Sequence, residues 1–477
     1  MTDSIAAKAS TIAEKATAIM SQAAEDGVEE VKELTHEGQS EAHKLFRSHP
    51  GHQHSSSSQS KPHKVPGVVV NNATGMIYMV DRAMANGYTQ GNPEWAQLAQ
   101  GAPETGHIDG AVEKPTTLDL ASLGDDVHEY GPTAGIKPLR EAVADYYNRE
   151  FRRPGGKKEY SWKNICIVPG GRAGLSRIAA VLGQINLGYT VPVYSAYSNL
   201  LETFAGSFVP IPNMTDEEHG YKLTAEQIRK QIRDLGLSAF LLSNPANPTG
   251  THLRGKELAE LVDIGRDLNC SMILDEFYSW YDMESPELGK AISAAEYVDD
   301  PEEDPVMLID GLTKNWRCPG WRCCWVVGPS QLVAALGAAG SFLDGGASHP
   351  IQNLAIQMLD ADRVTKDRLA LQQHFRAKRA HVLKRLDEMG LQVKVPPQAT
   401  FYIWANLAGL PKPISSGLVF AEEALKEKVL VVPGTFFDLN PAKRRNIVDS
   451  PCETFSECSG REIVAEGLVG SHDCTGR

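Results

Sequence analysis

The sequence predicts an α/β fold: a large domain on a mainly parallel sheet, with a smaller α+β domain assembled from the chain ends. Three observations carry that expectation. From about Leu139 helical and strand patterns alternate, as in βα repeats. Short apolar runs at 165–168, 239–242, 272–274, 306–309 and 324–327 have the length of buried strands, each followed by a polar or Gly-containing turn. Residues with chemistry of their own cluster just after these runs, at the carboxyl ends where open α/β sheets bind ligands.

Taken in order, residues 1–64 read as an extended or helical N-terminal tail followed by a Ser/His linker. Ile5, Ala9, Ile12, Ala16, Ile19 and Ala23 share one helical face. This opening stretch lacks Arg and carries Asp3, Glu14, Glu25 and Asp26, unlike an Arg-rich, acid-poor mitochondrial presequence, so an exposed, partner-seeking helix is expected. Residues 49–64 are Ser, His, Gln, Lys and Pro almost throughout, too polar to offset their ordering entropy. The N-terminal part of the small domain is assigned to 65–135, the large domain to 136–350 and the C-terminal part of the small domain to 351–450. That last part holds a long helical pattern from about 352 to 385 and strand-like alternation at 400–406. The acidic run 299–304 reads as a solvated loop between a helix and the next strand, and 451–477 as an atypical tail.

A chain of 477 residues with net charge −13 buries a large core and offers no general surface for nucleic acid or a basic membrane patch, so small-molecule chemistry is expected. No run approaches the roughly 18 apolar residues of a membrane helix. The eight cysteines include Cys318, Cys323 and Cys324 but no Cys-x-x-Cys pair, so no metal site and no disulfide framework is expected, and reduced thiols fit a cytoplasmic protein.

The chemistry centres on Lys314, in Gly311-Leu312-Thr313-Lys314, just past the apolar run 306–309. A lysine at a strand end, partly desolvated, can act as a nucleophile and form a Schiff base. Asp275 closes the run 272–274. An aspartate there usually caps the next helix, but beside Lys314 it suits a carboxylate that keeps a pyridine nitrogen protonated. Tyr278, and Asn247 within Ser243-Asn244-Pro245-Ala246-Asn247-Pro248-Thr249-Gly250, can donate to a phenolic oxygen; the prolines hold that loop rigid. Pro169-Gly170-Gly171-Arg172-Ala173-Gly174 lies between a strand and a helical pattern, so its amides form an anion cradle, with Arg172 either binding the anion or facing solvent. Arg322, eight residues after Lys314, offers a planar fork for phosphate. Tyr194 is equally a ring-stacking partner or a core tyrosine. A Schiff-base lysine, a ring-nitrogen acid, phenolic-oxygen donors and a phosphate cradle are together what pyridoxal 5'-phosphate requires.

Over roughly 65–433 these motifs resemble the fold-type I pyridoxal phosphate enzymes, specifically the class I/II aminotransferases. The specific features are Lys-x7-Arg, Asn-Pro-x-Asn-Pro-Thr-Gly and Asp-x-x-Tyr in one chain. The resemblance implies 136–350 as the cofactor-binding domain of the pyridoxal phosphate transferase type and a homodimer with two active sites at the subunit interface. It also implies a transaminase of amino acid metabolism acting on amino acid and 2-oxo acid substrates. It assigns Tyr130, in Glu129-Tyr130-Gly131, to the phosphate of the other subunit's cofactor and places Gly101 near the substrate carboxylate, with Asn247 also on the substrate side. Gly171 and Arg172 match the family's phosphate loop, and the arginine is unusual there.

Two departures stand out. The family often has serine three residues before the lysine, where this chain has Gly311, with Thr313 as a substitute for the phosphate contact. The family also usually shows an arginine-bearing strand that grips the substrate carboxylate, then a closing helix. Here neither is visible, and after about Cys452 the composition turns abruptly to Gly, Ser and Cys, as a shifted reading frame or mis-joined exon would leave it. Arg444, Arg445 and Arg461 are the remaining candidate anchors. The rival readings are a lyase or cyclopropane-carboxylate synthase of the same fold, a catalytically impaired homologue, and a regulator that keeps the cofactor domain. The regulator needs a DNA-binding module, for which 1–64 show neither helix-turn-helix pattern nor basic charge.

Overall fold

The computed structural model describes residues 76–99, 101–391, 393–440 and 462–466. Two compact units emerge, the larger holding Gly101–His381 and Val395–Ile403, the smaller the described parts of Met1–Gln100, Val382–Lys394 and Trp404–Glu466. The tail and linker expected over 1–64, and Arg444, Arg445 and Arg461, lie outside the described residues.

In the smaller unit the helix Met76–Ala85 precedes the strand β1 (Ala96–Gln97). Arg82 on that helix forms a two-pronged pair with Glu422, at 3.0 and 2.6 Å.

The larger unit is built on seven strands: β2 (Ile165–Val168), β3 (Asn186–Val191), β4 (Val209–Met214), β5 (Leu237–Ser243), β6 (Ser271–Asp275), β7 (Val306–Gly311) and β8 (Cys324–Val327). Their order is β2-β8-β7-β6-β5-β3-β4, and every pairing is parallel except the two made by β8. A strand covered on both faces must be apolar throughout. Accordingly β2 and β8 are buried at every position, and the five runs picked out in the sequence are all strands of this sheet.

Two strands carry no such run. β4 holds Pro210 and Pro212, which lack the ladder donor and are tolerated because β4 is the edge strand. In β3, Gly188 leaves room for Leu237 and Phe240, whose atoms lie 2.6 and 2.8 Å from where its Cβ would stand. The direction of β8 is also a tertiary fact. Because it runs against its neighbours, its first residue, not its last, lies at the carboxyl edge of the parallel strands: Cys324 is registered with Gly311 at the end of β7 and Val168 at the end of β2.

The expected helix from 352 to 385 is two helices, His349–Ile356 and Ala361–Glu388, parted by a turn at Gln357–Leu359. Asp360 restarts the helix by accepting the Arg363 amide at 3.0 Å, an N-terminal cap that the apolar periodicity does not register. The acidic run 299–304 is indeed a loop leading into β7, but Asp304 is not solvated. It is 4% exposed and accepts Arg266 Nε and Nη2 at 2.9 and 2.8 Å and the Asp299 amide at 2.7 Å.

At the carboxyl end the smaller unit contains the helix Gly417–Lys426 and the strands β9 (Tyr402–Asn406), β10 (Val429–Leu430), β11 (Val432–Pro433) and β12 (Glu462–Glu466), of which β9 begins in the larger unit. β1 pairs with β10, and β11, β12 and β9 form a three-stranded sheet. Past Cys452 the described residues include the strand β12, which carries no arginine. Glu462-Ile463-Val464-Ala465-Glu466 lies antiparallel to β11, with Val464 opposite Val432 and Ile463 opposite Pro433.

Replacing Arg266 with Ala should strip the buried Asp304 of its charge partner and lower stability by about 2–3 kcal/mol in urea unfolding. The neighbouring exposed acid should not matter: Glu303→Ala is expected within about 0.5 kcal/mol of the parent.

Candidate active site

Four strand ends and one strand start bring the motif residues to the same edge of the sheet. Asp275 ends β6, Ser243 ends β5 before the Asn-Pro loop, Val168 ends β2 before Gly170-Gly171, Gly311 ends β7 before Lys314, and Arg322 precedes the reversed β8. The amine of Lys314 donates to the Gly101 carbonyl and lies 5.8 Å from the Tyr278 ring centroid and 5.5 Å from that of Phe401. Gly101 and Lys314 therefore meet although 213 residues separate them.

Asp275 is buried. Tyr197 Oη donates to its Oδ2 at 2.7 Å, and the Phe277 amide reaches its Oδ1 at 3.5 Å. Burial lifts its pKa to about 6, against the opposing pull of the Tyr197 and Phe277 bonds and the Lys314 charge. Glu276, next in the chain, is also buried, which pushes its carboxyl to about 8 even though Ser293 Oγ and the Ala294 amide donate to it at 2.6 and 2.8 Å.

Tyr278 and Tyr402 join hydroxyl to hydroxyl, and Asn247 Nδ2 donates to Tyr402 Oη at 3.3 Å. Asn247 Oδ1 is buried, with no donor to it among the described residues. The Asn-Pro loop reaches Tyr402 because of Gly250, which has φ +71° and whose carbonyl accepts the Gln398 and Ala399 amides, both at 2.8 Å. A side chain at Gly250 would collide with Pro397.

Around the glycine loop the packing is equally close. Gly170 has φ +104°, and a Cβ there would run into the Arg322 guanidinium. Gly171 opens the helix Gly171–Val181, and its missing side chain leaves space for Phe277, 2.5 Å from where a Cβ would stand. Arg322 has φ +50°, a left-handed conformation that aims its side chain back over this loop. Arg172 donates to Tyr194 Oη from Nε and Nη2 at 3.3 and 3.0 Å, so this pair is joined, with Tyr194 half-buried. The Thr313 hydroxyl is bonded to Cys324 Sγ at 3.1 Å. The glycine at 311 has a steric reason, because a Cβ there would collide with Cys324 in the paired strand. Tyr130 alone among the motif residues stands outside this group, fully exposed on its segment.

Two residues at this edge carried no sequence signal of function. Tyr197 opens the helix Tyr197–Thr203, and nothing in its local pattern marks it as a partner for Asp275. Tyr402 sits in strand-like alternation, and nothing local distinguishes it from a core tyrosine.

Residues 93–449 match the family described as aminotransferase class I and II, and the chain belongs to that family. It is a pyridoxal phosphate-dependent aminotransferase. It is 29% identical over 316 residues to an aspartate aminotransferase of Pyrococcus abyssi, covering 65% of this chain and 76% of that one. It is 27% identical over 323 residues to a probable N-succinyldiaminopimelate aminotransferase of Mycobacterium tuberculosis, covering 66% and 75%. The fold is shared with Thermus thermophilus aspartate aminotransferase in its structure with maleate, with a TM-score of 0.64, 21% identity, and 79% of this chain and 96% of that chain covered.

The residues at the edge fit the cofactor. A buried acid able to face a ring nitrogen, the Asn247 amide nitrogen and Tyr278 hydroxyl as donors, and a glycine cradle under Arg322 all suit pyridoxal phosphate.

Removing the Tyr197 hydroxyl gives a test with a definite sign. Asp275 titrates near 4 when unfolded and at about 6 when folded. The folded protein therefore keeps the proton between those values, and the ionised carboxyl weighs against folding above them. Tyr197→Phe removes a donor to the ionised form, so in the cofactor-free protein it should lower stability by about 1.5–3 kcal/mol at pH 8 and by clearly less at pH 5. Paired urea titrations at the two pH values measure the difference.

Proposed function

We propose that this chain moves an α-amino group from an amino acid to a 2-oxo acid with Lys314 as the residue that captures the cofactor aldehyde. The observation carrying this reading is the placement of the Lys314 amine and the Asp275 carboxyl just past neighbouring strands, β7 and β6, with Tyr278 and Asn247 on the same edge. When bound, pyridoxal phosphate supplies an aldehyde for the substrate amine and a ring that withdraws electrons from Cα. The Lys314 amine would hold the cofactor aldehyde and, once a substrate amine is bound there, would be the base that takes the proton at the substrate Cα. Asp275 accepts the hydrogen bond of the protonated ring nitrogen, and its pairing there favours the carboxylate that burial alone disfavours. Tyr278 and Asn247 donate to the phenolic oxygen, and Tyr402 orients both through its hydroxyl. Gly170, Gly171 and the start of the helix they open hold the phosphate with Arg322, while Arg172 braces Tyr194 against the ring. Gly101 borders the substrate.

The same reading takes the protein as a cytoplasmic homodimer. In support, among the described residues no helix is long and apolar enough to cross a membrane, and Cys166, Cys270, Cys318, Cys323 and Cys324 are free and buried. Tyr130, fully exposed, is suited to reach the phosphate bound by a second copy.

Mixing purified holoprotein with single amino acids, aspartate and the aromatic ones included, should bleach the visible cofactor band and yield one 2-oxo acid per amino form of the cofactor. Release of ammonia instead would overturn transfer in favour of elimination. Lys314→Ala should lose at least about 100-fold in rate, as expected for a removed acid–base group, and borohydride should label Lys314 in the parent. Tyr130→Ala should weaken cofactor affinity, measured by equilibrium dialysis, while sedimentation still reports a dimer.

A further inference from the structure

One buried amide ties the segment after β6 to the segment that carries Lys314. Asn315 is 1% exposed and donates from Nδ2 to Ser279 Oγ at 2.8 Å and to both oxygens of Asp310 at 3.0 Å. Its Oδ1 accepts the Trp280 amide at 3.2 Å. Asp310, also buried, takes Ser279 Oγ at 3.2 Å and the Gly311 amide at 2.6 Å. A further tie runs from Tyr281 Oη to the Lys314 carbonyl at 3.0 Å. The residue after the lysine and the residue after Tyr278 thus belong to one closed set of hydrogen bonds.

Only a primary amide completes this set, because position 315 must donate toward Asp310 and Ser279 while accepting from Trp280. Aspartate would set a second carboxyl against Asp310, and leucine would leave the Trp280 amide and Asp310 unanswered in a dry interior. Burial raises the Asp310 carboxyl, and the neighbouring Glu276 and Asp275 add to that shift.

We propose that Asn315, held by Asp310 and Ser279, is a positioning residue for the reaction. It fixes the direction from which the Lys314 amine approaches the cofactor and, through Ser279, the placement of the Tyr278 hydroxyl. This rests on the reading of Lys314 given above. Asn315 itself touches neither substrate nor cofactor; it acts by locking the two segments in one register, and small misplacements of a reacting amine are costly in rate.

The test compares holoprotein of the parent, Asn315→Ala and Ser279→Ala by steady-state kinetics, by the pH titration of the visible band of lysine-bound cofactor, and by peptide mapping after borohydride reduction. For Asn315→Ala, kcat should fall roughly 10–100-fold while KM changes less than about threefold, because the loss is in the reacting geometry. The titration midpoint should move by about half a unit or more, since the donors around the cofactor's phenolic oxygen shift with Tyr278. Ser279→Ala should move both readings the same way by less, and it decides alone if Asn315→Ala does not fold. Unmoved kcat and midpoint in the folded variants, whatever happens to Tm, would overturn the proposal. A parent label on another lysine would instead sink the reading of Lys314 and this inference with it, so the two failures are told apart.

Discussion

A carboxyl group with a phenol and a distant amide for partners is buried at the end of β6, and the surroundings of Asp275 follow from that placement. Removing a carboxylate from water is unfavourable unless opposite charge and donors replace the water. Here burial outweighs the Tyr197 and Phe277 bonds and the Lys314 charge, so the carboxyl titrates above its ordinary range. Tyr197 offsets part of the deficit, and Lys314 contributes from a distance.

Backbone approach is the second constraint on the same edge. Gly170 under the Arg322 guanidinium, Gly250 against Pro397 and Gly311 against Cys324 each leave out a side chain so that two segments can touch. The case of Gly311 shows how a departure from a family pattern is absorbed. Serine is often found at this position in such enzymes, but with Cys324 in the facing register there is no volume for it, and the nearby Thr313 hydroxyl bonds to the Cys324 thiol. The residues at 311, 313 and 324 therefore form one packing unit.

Three acids, Asp275 at the end of β6, Glu276 just past it and Asp310 on β7, lie buried; Asp275 raises the proton affinity of Glu276, and both raise that of Asp310. Such a cluster holds only if the surrounding polar groups are fully engaged. Ser293 and the Ala294 amide serve Glu276, while Ser279, Asn315 and the Gly311 amide serve Asp310. Through Ser279, Asn315 and Asp310 these bonds join the segment after β6 to the segment that carries Lys314.

The sequence by itself determined the fold class, five of the seven strands of the main sheet and the identity of the groups at its edge. It could do so because a strand buried on both faces must be written as an uninterrupted apolar run, and because lysine, aspartate and a doubled Asn-Pro carry their chemistry within a few residues. Tertiary structure alone decided the rest. An edge strand with two prolines and a strand relieved by Gly188 look like loops until their neighbours are known. The reversal of β8, which delivers Arg322 to the site, has no local signature. Tyr197 reaches Asp275, Tyr402 reaches Tyr278 and Asn315 reaches Ser279 across 78, 124 and 36 residues. At such separations a side chain's partner is fixed by how the sheet is ordered and how its loops pack, and neither is encoded in the spacing along the chain.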